Sequence, residues 1–300
     1  MVDLYIRTRC KRIDYSFLLK QPPATYSNEY KNKSDIEKPT CILEPTEENG
    51  VYMFLSGIPS QRKDHQGTPI RYELVATSDT WDSMDGSDQK KYLKGLTGLI
   101  SMWLKDVRGA LQKIQEDGSD WELVRLPNVA NSKLGELLDE TLTEQYVEEL
   151  LQLTVDSNQS KNDENNLNQK LKDFLLKGNF LQEYSKYDSS SQTENPLNLW
   201  CGGVNNNLSC DQWIKFVKKL LLGETKGKAL LLNIATPQSL SSFSVNNQGL
   251  GVLLAKEWSQ SDTKQIEPQG QGGYNQQGNI RQYIRVPSGL LFPDWSNKKH

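Results

Sequence analysis

The run Ala229-Leu230-Leu231-Leu232-Asn233-Ile234 constrains the fold more than any other stretch of this chain. A near-continuous apolar segment of strand length reads as a strand buried on both faces, which places it inside a covered, parallel sheet. Just upstream, 197–200 reads as a short strand. A helix then opens at Ser209 or Asp211 and runs to about residue 222. Ser209 with Gln212 fits the S-x-x-Q capping box, and Gly223 suits the C-terminal cap. Strand, helix and buried strand make a βαβ unit, joined by a right-handed crossover. Residues 251–256 and 279–286 read as further strands, with a low-complexity Gln/Gly-rich loop at 259–279 between them.

The N-terminal part has a different period. Leu4 and Ile6 alternate with Tyr5, Arg7 and Arg9, a half-buried strand that the pattern carries on through Ile13, Tyr15 and Phe17 to Pro22-Pro23. Residues 41–43 and 51–55 read as a hairpin around Glu47-Glu48-Asn49-Gly50, and Gly57-Ile58-Pro59 ends its second strand. A charged loop over 60–68 leads to a strand at 70–76. The connections are too short for helical crossovers, so the pairing is antiparallel.

The middle is helical. Leu93, Leu96, Ile100, Trp103, Leu104, Val107, Leu111 and Ile114 form a stripe of period 3.6 over 88–114. Gly95, Gly98 and Gly109 weaken that helix by up to about 1 kcal/mol each, which close packing would justify. A short strand is expected at 121–126. A second amphipathic helix over 132–153 turns Leu134, Leu138, Leu142 and Leu150 inward. Its outer face is acidic, with Glu136, Asp139, Glu140, Glu144, Glu148 and Glu149.

The expected fold class is therefore mixed α/β. An α+β N-terminal part with short antiparallel strands and long amphipathic helices precedes a C-terminal part containing the βαβ unit. The expected organisation is a β-rich then helical lobe over 1–155, a polar linker with a short helix over 156–195, and an α/β lobe over 196–300.

Composition narrows the chemistry. The chain has two histidines, and one of them, His300, is the last residue. His65 is left as the internal imidazole for proton transfer near neutral pH, and no multi-histidine metal site can be built. None of Cys10, Cys41, Cys201 and Cys210 forms a C-x-x-C, and the 201/210 spacing matches no zinc ligand pair. They read as free thiols. Asp79, Asp82, Asp85 and Asp88 fall every third residue, out of register with a calcium-binding loop. No metal and no cofactor is expected. No apolar run approaches the ~20 residues that span a bilayer, so no membrane association is expected. The first residues lack the apolar core of a signal peptide, and the expected location is the cytoplasm.

Three places carry candidate residues. The loop expected over 201–208 lies between a strand end and a helix start, where free N–H groups and the helix dipole favour an anion. There Gly202 and Gly203 would admit a phosphate, Ser209 would cap it, and Cys201 is a candidate thiolate. The loop over 60–68 gathers Arg62, Asp64 and His65, and Arg62 with Arg71 could fork a carboxylate or phosphate. The N-terminal ladder of Arg7, Arg9 and Arg12, interleaved with tyrosines, could track a phosphate backbone. A net charge of −3 argues against nucleic acid as the main partner.

Scarce histidine and absent catalytic motifs, with an acidic amphipathic helix, favour a non-enzymatic cytosolic interaction or regulatory component of a larger protein assembly. Two alternatives stand beside it. One is an α/β enzyme or ligand-binding protein acting on an anionic, nucleotide-like small molecule. The other is a nucleic-acid-binding accessory protein.

Overall fold

Alternation of Val2, Leu4 and Ile6 with Asp3, Tyr5 and Arg7 folds as expected into a strand, β1 (Val2–Thr8). In the computed structural model the described residues are 2–23, 36, 39–45, 50–78, 87–116, 132–187, 199–204, 207–232, 249–254 and 264–265. Their fold is mixed α/β. The strands expected at 121–126 and 279–286, the calcium-like aspartates 79–85 and most of the 259–279 loop lie outside them.

β1 stops at Thr8 instead of running on. The chain turns and returns antiparallel as β2 (Ser16–Phe17), pairing Arg7 with Phe17. Leu19, with φ of 61°, then swings it off the ladder, and its N–H donates to the Thr154 hydroxyl at 2.9 Å. β3 (Cys41–Pro45) pairs antiparallel with β4 (Val51–Lys63), and β4 with β5 (Pro69–Ser78). Gly57-Ile58-Pro59 does not end β4. Gly57, at φ of 73°, lets the strand bulge and carry on, so residues 60–63 of the expected loop are hairpin arm and the turn is confined to 64–68.

The helical stripe becomes α1 (Ser87–Glu116). A Cβ at Gly95 or Gly98 would fall less than 3.0 Å from the Leu175 or Phe180 carbonyl oxygen, whereas Gly109 has nothing within 4 Å. The expected 132–153 helix is two helices, α2 (Lys133–Thr141) and α3 (Glu144–Val155). Thr143 breaks it, because its hydroxyl accepts from Tyr146 N–H and caps the second piece. The polar stretch after it holds α4 (Lys161–Leu175) and α5 (Gly178–Ser185). A Ser160/Asp163 capping box starts α4 amid residues whose Asn/Asp content reads as linker. Leu167, Leu171, Phe174 and Phe180 bury the apolar side of this pair in the core.

The C-terminal part is β6 (Leu199–Gly203), α6 (Asn207–Leu221), β7 (Gly227–Leu232), β8 (Gly249–Leu254) and β9 (Lys264–Gln265). β6 and β7 are parallel and linked through α6, with β8 lying between them and parallel to both. Gly223 closes α6 with φ of 70°. Among the described residues nine strands make one sheet, ordered β2-β1-β5-β4-β3-β7-β8-β6-β9. The β3–β7 pairing, Cys41 opposite Leu231, runs the N-terminal and C-terminal strands into a single sheet.

Helix residues share one apolar cluster with Leu4, Met53, Leu55, Leu74, Leu231 and Leu253 on one sheet face. The other face is buried too: register lays Ile42 beside Phe54 and Leu230, Phe54 beside Val75, and Leu230 beside Val252. Leu230, with Ala229 and Leu231, thus meets the expectation of a strand buried on both sides. Among the described residues no helix is long and apolar enough to cross a membrane.

Candidate functional site

The far end of the β4–β5 hairpin concentrates the charged residues that the sequence singles out, and the structure ties each of them down. Asp64 opens the turn. Its Oδ1 accepts the Gln66 and Thr68 amides, both at 2.8 Å, and its Oδ2 lies 3.2 Å from the Arg9 guanidinium. Burial opposes its ionisation, but the two amides and Arg9 outweigh that and hold the carboxyl below the usual range. Asp64 therefore holds the turn rather than orienting His65, which stands exposed at the tip.

Arg62 is equally engaged. Its guanidinium donates to the Ser60 hydroxyl at 3.2 Å, to the Arg9 carbonyl at 3.2 Å and to the Thr8 hydroxyl at 2.9 Å. It also lies 5.0 Å from the Tyr72 ring centroid and 3.6 Å from Asp139 of α2. Asp139, expected on the acidic outer face of its helix, is instead the hub that faces β4 and β5. It accepts the Ser60 hydroxyl at 2.6 Å, the Gln61 amide at 2.7 Å and the Tyr72 hydroxyl at 2.8 Å. Burial pushes the Tyr72 hydroxyl's pKa up. A signal for Asp139 does exist. Gly135 and Asp139 sit one turn apart on α2, and a Cβ at Gly135 would press into the Pro59 carbonyl. That stripe lies flat on β4. Arg71 is buried beside this network; its backbone N–H donates to the Tyr15 hydroxyl at 3.1 Å, and its carbonyl accepts the Thr8 hydroxyl at 2.9 Å.

Each arginine of the ladder has an acidic neighbour within the chain. Arg7 meets the buried Glu73 at 3.4 Å, Arg9 meets Asp64, and Arg12, in the turn after β1, lies 3.9 Å from Glu148 of α3. The acidic flank of α2 and α3 is met likewise. Glu136 pairs with Lys133, Glu140 with Lys177 and Glu144 with Lys11, while Glu149 accepts from the Gln145 amide.

The second place lies at the C-terminal ends of β6, β8 and β7. Gly202 and Gly203, expected in a loop, are strand residues opposite Leu253 and Leu254. Cys201 is in the same strand. α6 opens at Asn207, two residues before the expected cap, so Ser209 is in its first turn and fully buried. The Cys210 thiol meets the backbone here, 3.1 Å from the Val204 carbonyl, and burial pushes its pKa up to about 11. Arg108 of α1 contacts the Asn207 side chain.

Five strand-to-strand steps separate β5 from β6 in the sheet, about 24 Å at ~4.8 Å per step. The two loops that an α/β enzyme would need together are thus on different halves of the sheet. Among the described residues no group of three or more His, Cys, Asp and Glu side chains could hold a metal. Compared with models of protein families, with curated proteins and with solved structures, the chain matches none.

Proposed function

We propose that this chain is a non-enzymatic component of a larger protein assembly and that the end of the β4–β5 hairpin is one of its docking elements. The observation that carries this reading is a fixed turn with an exposed rim. Asp64 holds the backbone of the tip through two amide hydrogen bonds, while Gln61, Lys63, His65, Gln66 and Gly67 are exposed around it. Behind the tip, Asp139 and Arg62 weld the hairpin to α2. A pre-ordered tip loses little conformational freedom when it meets a partner, which is where binding free energy is otherwise lost. A cytoplasmic location belongs to the same proposal. Its support is that Cys10, Cys41 and Cys210 are free thiols, as a reducing compartment keeps them.

The test is the mass of the assembly isolated from the native cell at native abundance, for the wild-type chain and for the Lys63→Glu/Gln66→Glu variant. A stoichiometric protein partner that is present with the wild type and lost from the variant supports the proposal. A lone monomer, or a partner held equally well by the variant, overturns it.

A further inference from the structure

The seam between α1, α5 and α6 lies away from the hairpin and carries charge of the opposite sign to the chain as a whole. Tyr184 of α5 has two ammonium groups near its ring there, Lys94 of α1 at 5.2 Å and Lys218 of α6 at 5.0 Å from its centroid. Lys218 also donates to the Tyr187 carbonyl at 3.0 Å. Next to this, Glu183 is shared by Lys105 and Lys186, one carboxylate for two cations. Helical spacing sets Lys215 between Asp211 and Lys218 on the exposed stripe of α6. At the far end Arg108 reaches Asn207. Among the described residues of this seam Lys94, Lys105, Arg108, Lys186, Lys215 and Lys218 face two carboxylates, Glu183 and Asp211. Six cations less two anions leave an excess of four, in a chain of formal net charge −3.

We infer that this seam is a second docking surface, and that its occupant is an acidic segment of another protein. The cations are pre-placed: the Tyr184 ring, the Tyr187 carbonyl and the shared Glu183 hold several of them in position, so less side-chain entropy is lost when a carboxylate arrives. Lys105 and Lys186 are about half exposed and surround a single carboxylate, which leaves them an uncompensated charge to offer. Carboxylates fit better than nucleic acid because Tyr184, the ring that the lysines flank, is buried and offers no open face on which a base could stack. The surface goes beyond the hairpin proposal and fails or stands separately from it.

The experiment uses the full chain and a fluorescein-labelled peptide of alternating glutamate and serine, with single-stranded and duplex DNA of equal formal charge as competitors. Anisotropy at about 30 mM and about 200 mM salt should show peptide binding that weakens as salt screens the pairs. The Lys94→Glu/Lys186→Glu/Lys215→Glu variant should lose affinity by about tenfold or more. Lys11→Glu/Arg12→Glu, beside Glu144 and Glu148 of α3, should bind as the wild type does. If the triple variant melts early, the same positions changed to glutamine provide the comparison. No peptide binding at low salt, DNA bound more tightly than peptide, or binding indifferent to the triple change would each overturn the inference.

Discussion

Asp139 and Tyr72 join α2 to β5 through one hydrogen bond, the tyrosine hydroxyl donating to Oδ1 at 2.8 Å. The same carboxylate takes the Ser60 hydroxyl and the Gln61 amide, so one side chain closes the gap between the helical layer and the hairpin. Its removal leaves three donors without their acceptor and Arg62 without its nearby charge. Asp139→Ala should therefore cost about 2–4 kcal/mol, because buried groups stranded without partners cost more than the bonds contributed. Tyr72→Phe removes donor and bond together and should cost about 1 kcal/mol. Urea denaturation of both variants and of the double variant checks this. Equal costs for the two would show that Asp139 is not the hub.

The glycines of α1 separate two reasons for glycine in a helix. At Gly98 a methyl group would run into the Phe180 carbonyl of α5, whereas Gly109 is exposed with open space around it. Gly98→Ala should destabilise the chain by about 1–3 kcal/mol through overpacking, despite the better helix propensity of alanine. Gly109→Ala should stabilise it by about 0.5–1 kcal/mol. The two melting temperatures should move in opposite directions. A stabilised Gly98→Ala would mean that α1 and α5 do not meet at that glycine.

What was legible in the sequence was what depends on period. Alternation located β1, the apolar run located β7, and the 3.6-residue stripe located α1, because burial of one face leaves a pattern in every turn or pleat. Decisions made by single side chains were harder to read. Thr143 ends one helix and starts the next with a hydroxyl that would look the same on an unbroken helix surface. Gly57-Ile58-Pro59 looks like a stop because glycine and proline usually are one, yet a bulge absorbs both. The contacts of the candidate site residues were hard to read for a related reason. Asp64, Arg62 and Arg7 stood out by charge, but Thr8, Asp139 and Glu73 lie at least 50 residues away from one or another of the arginines they engage, across strand pairings that no local pattern reveals.

The described thiols should be silent in the folded chain. Cys10, Cys41 and Cys210 are buried, burial pushes the Cys41 thiol up, and that of Cys210 is pushed up to about 11. Thiolate is the reactive form, so alkylation near neutral pH lacks access at all three sites and also lacks a nucleophile at Cys41 and Cys210. Iodoacetamide labelling followed by site-resolved mass spectrometry should find these three unmodified in buffer and modified in urea, in step with unfolding. Fast native labelling of Cys210 would indicate that the start of α6 opens independently of the core.

The hairpin tip should loosen in acid, and the sign follows from Asp64. Its folded-state pKa lies below the ordinary aspartate value: burial opposes ionisation, but the Thr68 and Gln66 amides and the Arg9 guanidinium favour it more strongly. A carboxylate with a depressed folded pKa contributes stability that is complete above the unfolded value, about 3.9, and is lost as pH falls through the folded one. The turn should therefore stay closed at neutral pH and open only below about pH 4. The Gln66 and Thr68 amide resonances report this directly, because protonation removes the charge that both N–H groups bond. They should titrate below the ordinary aspartate value in the wild type and stay flat in Asp64→Asn. A midpoint at or above the ordinary value would show that Arg9 and the turn amides do not stabilise the Asp64 carboxylate, and the rigid tip on which the docking proposal rests would lose its anchor.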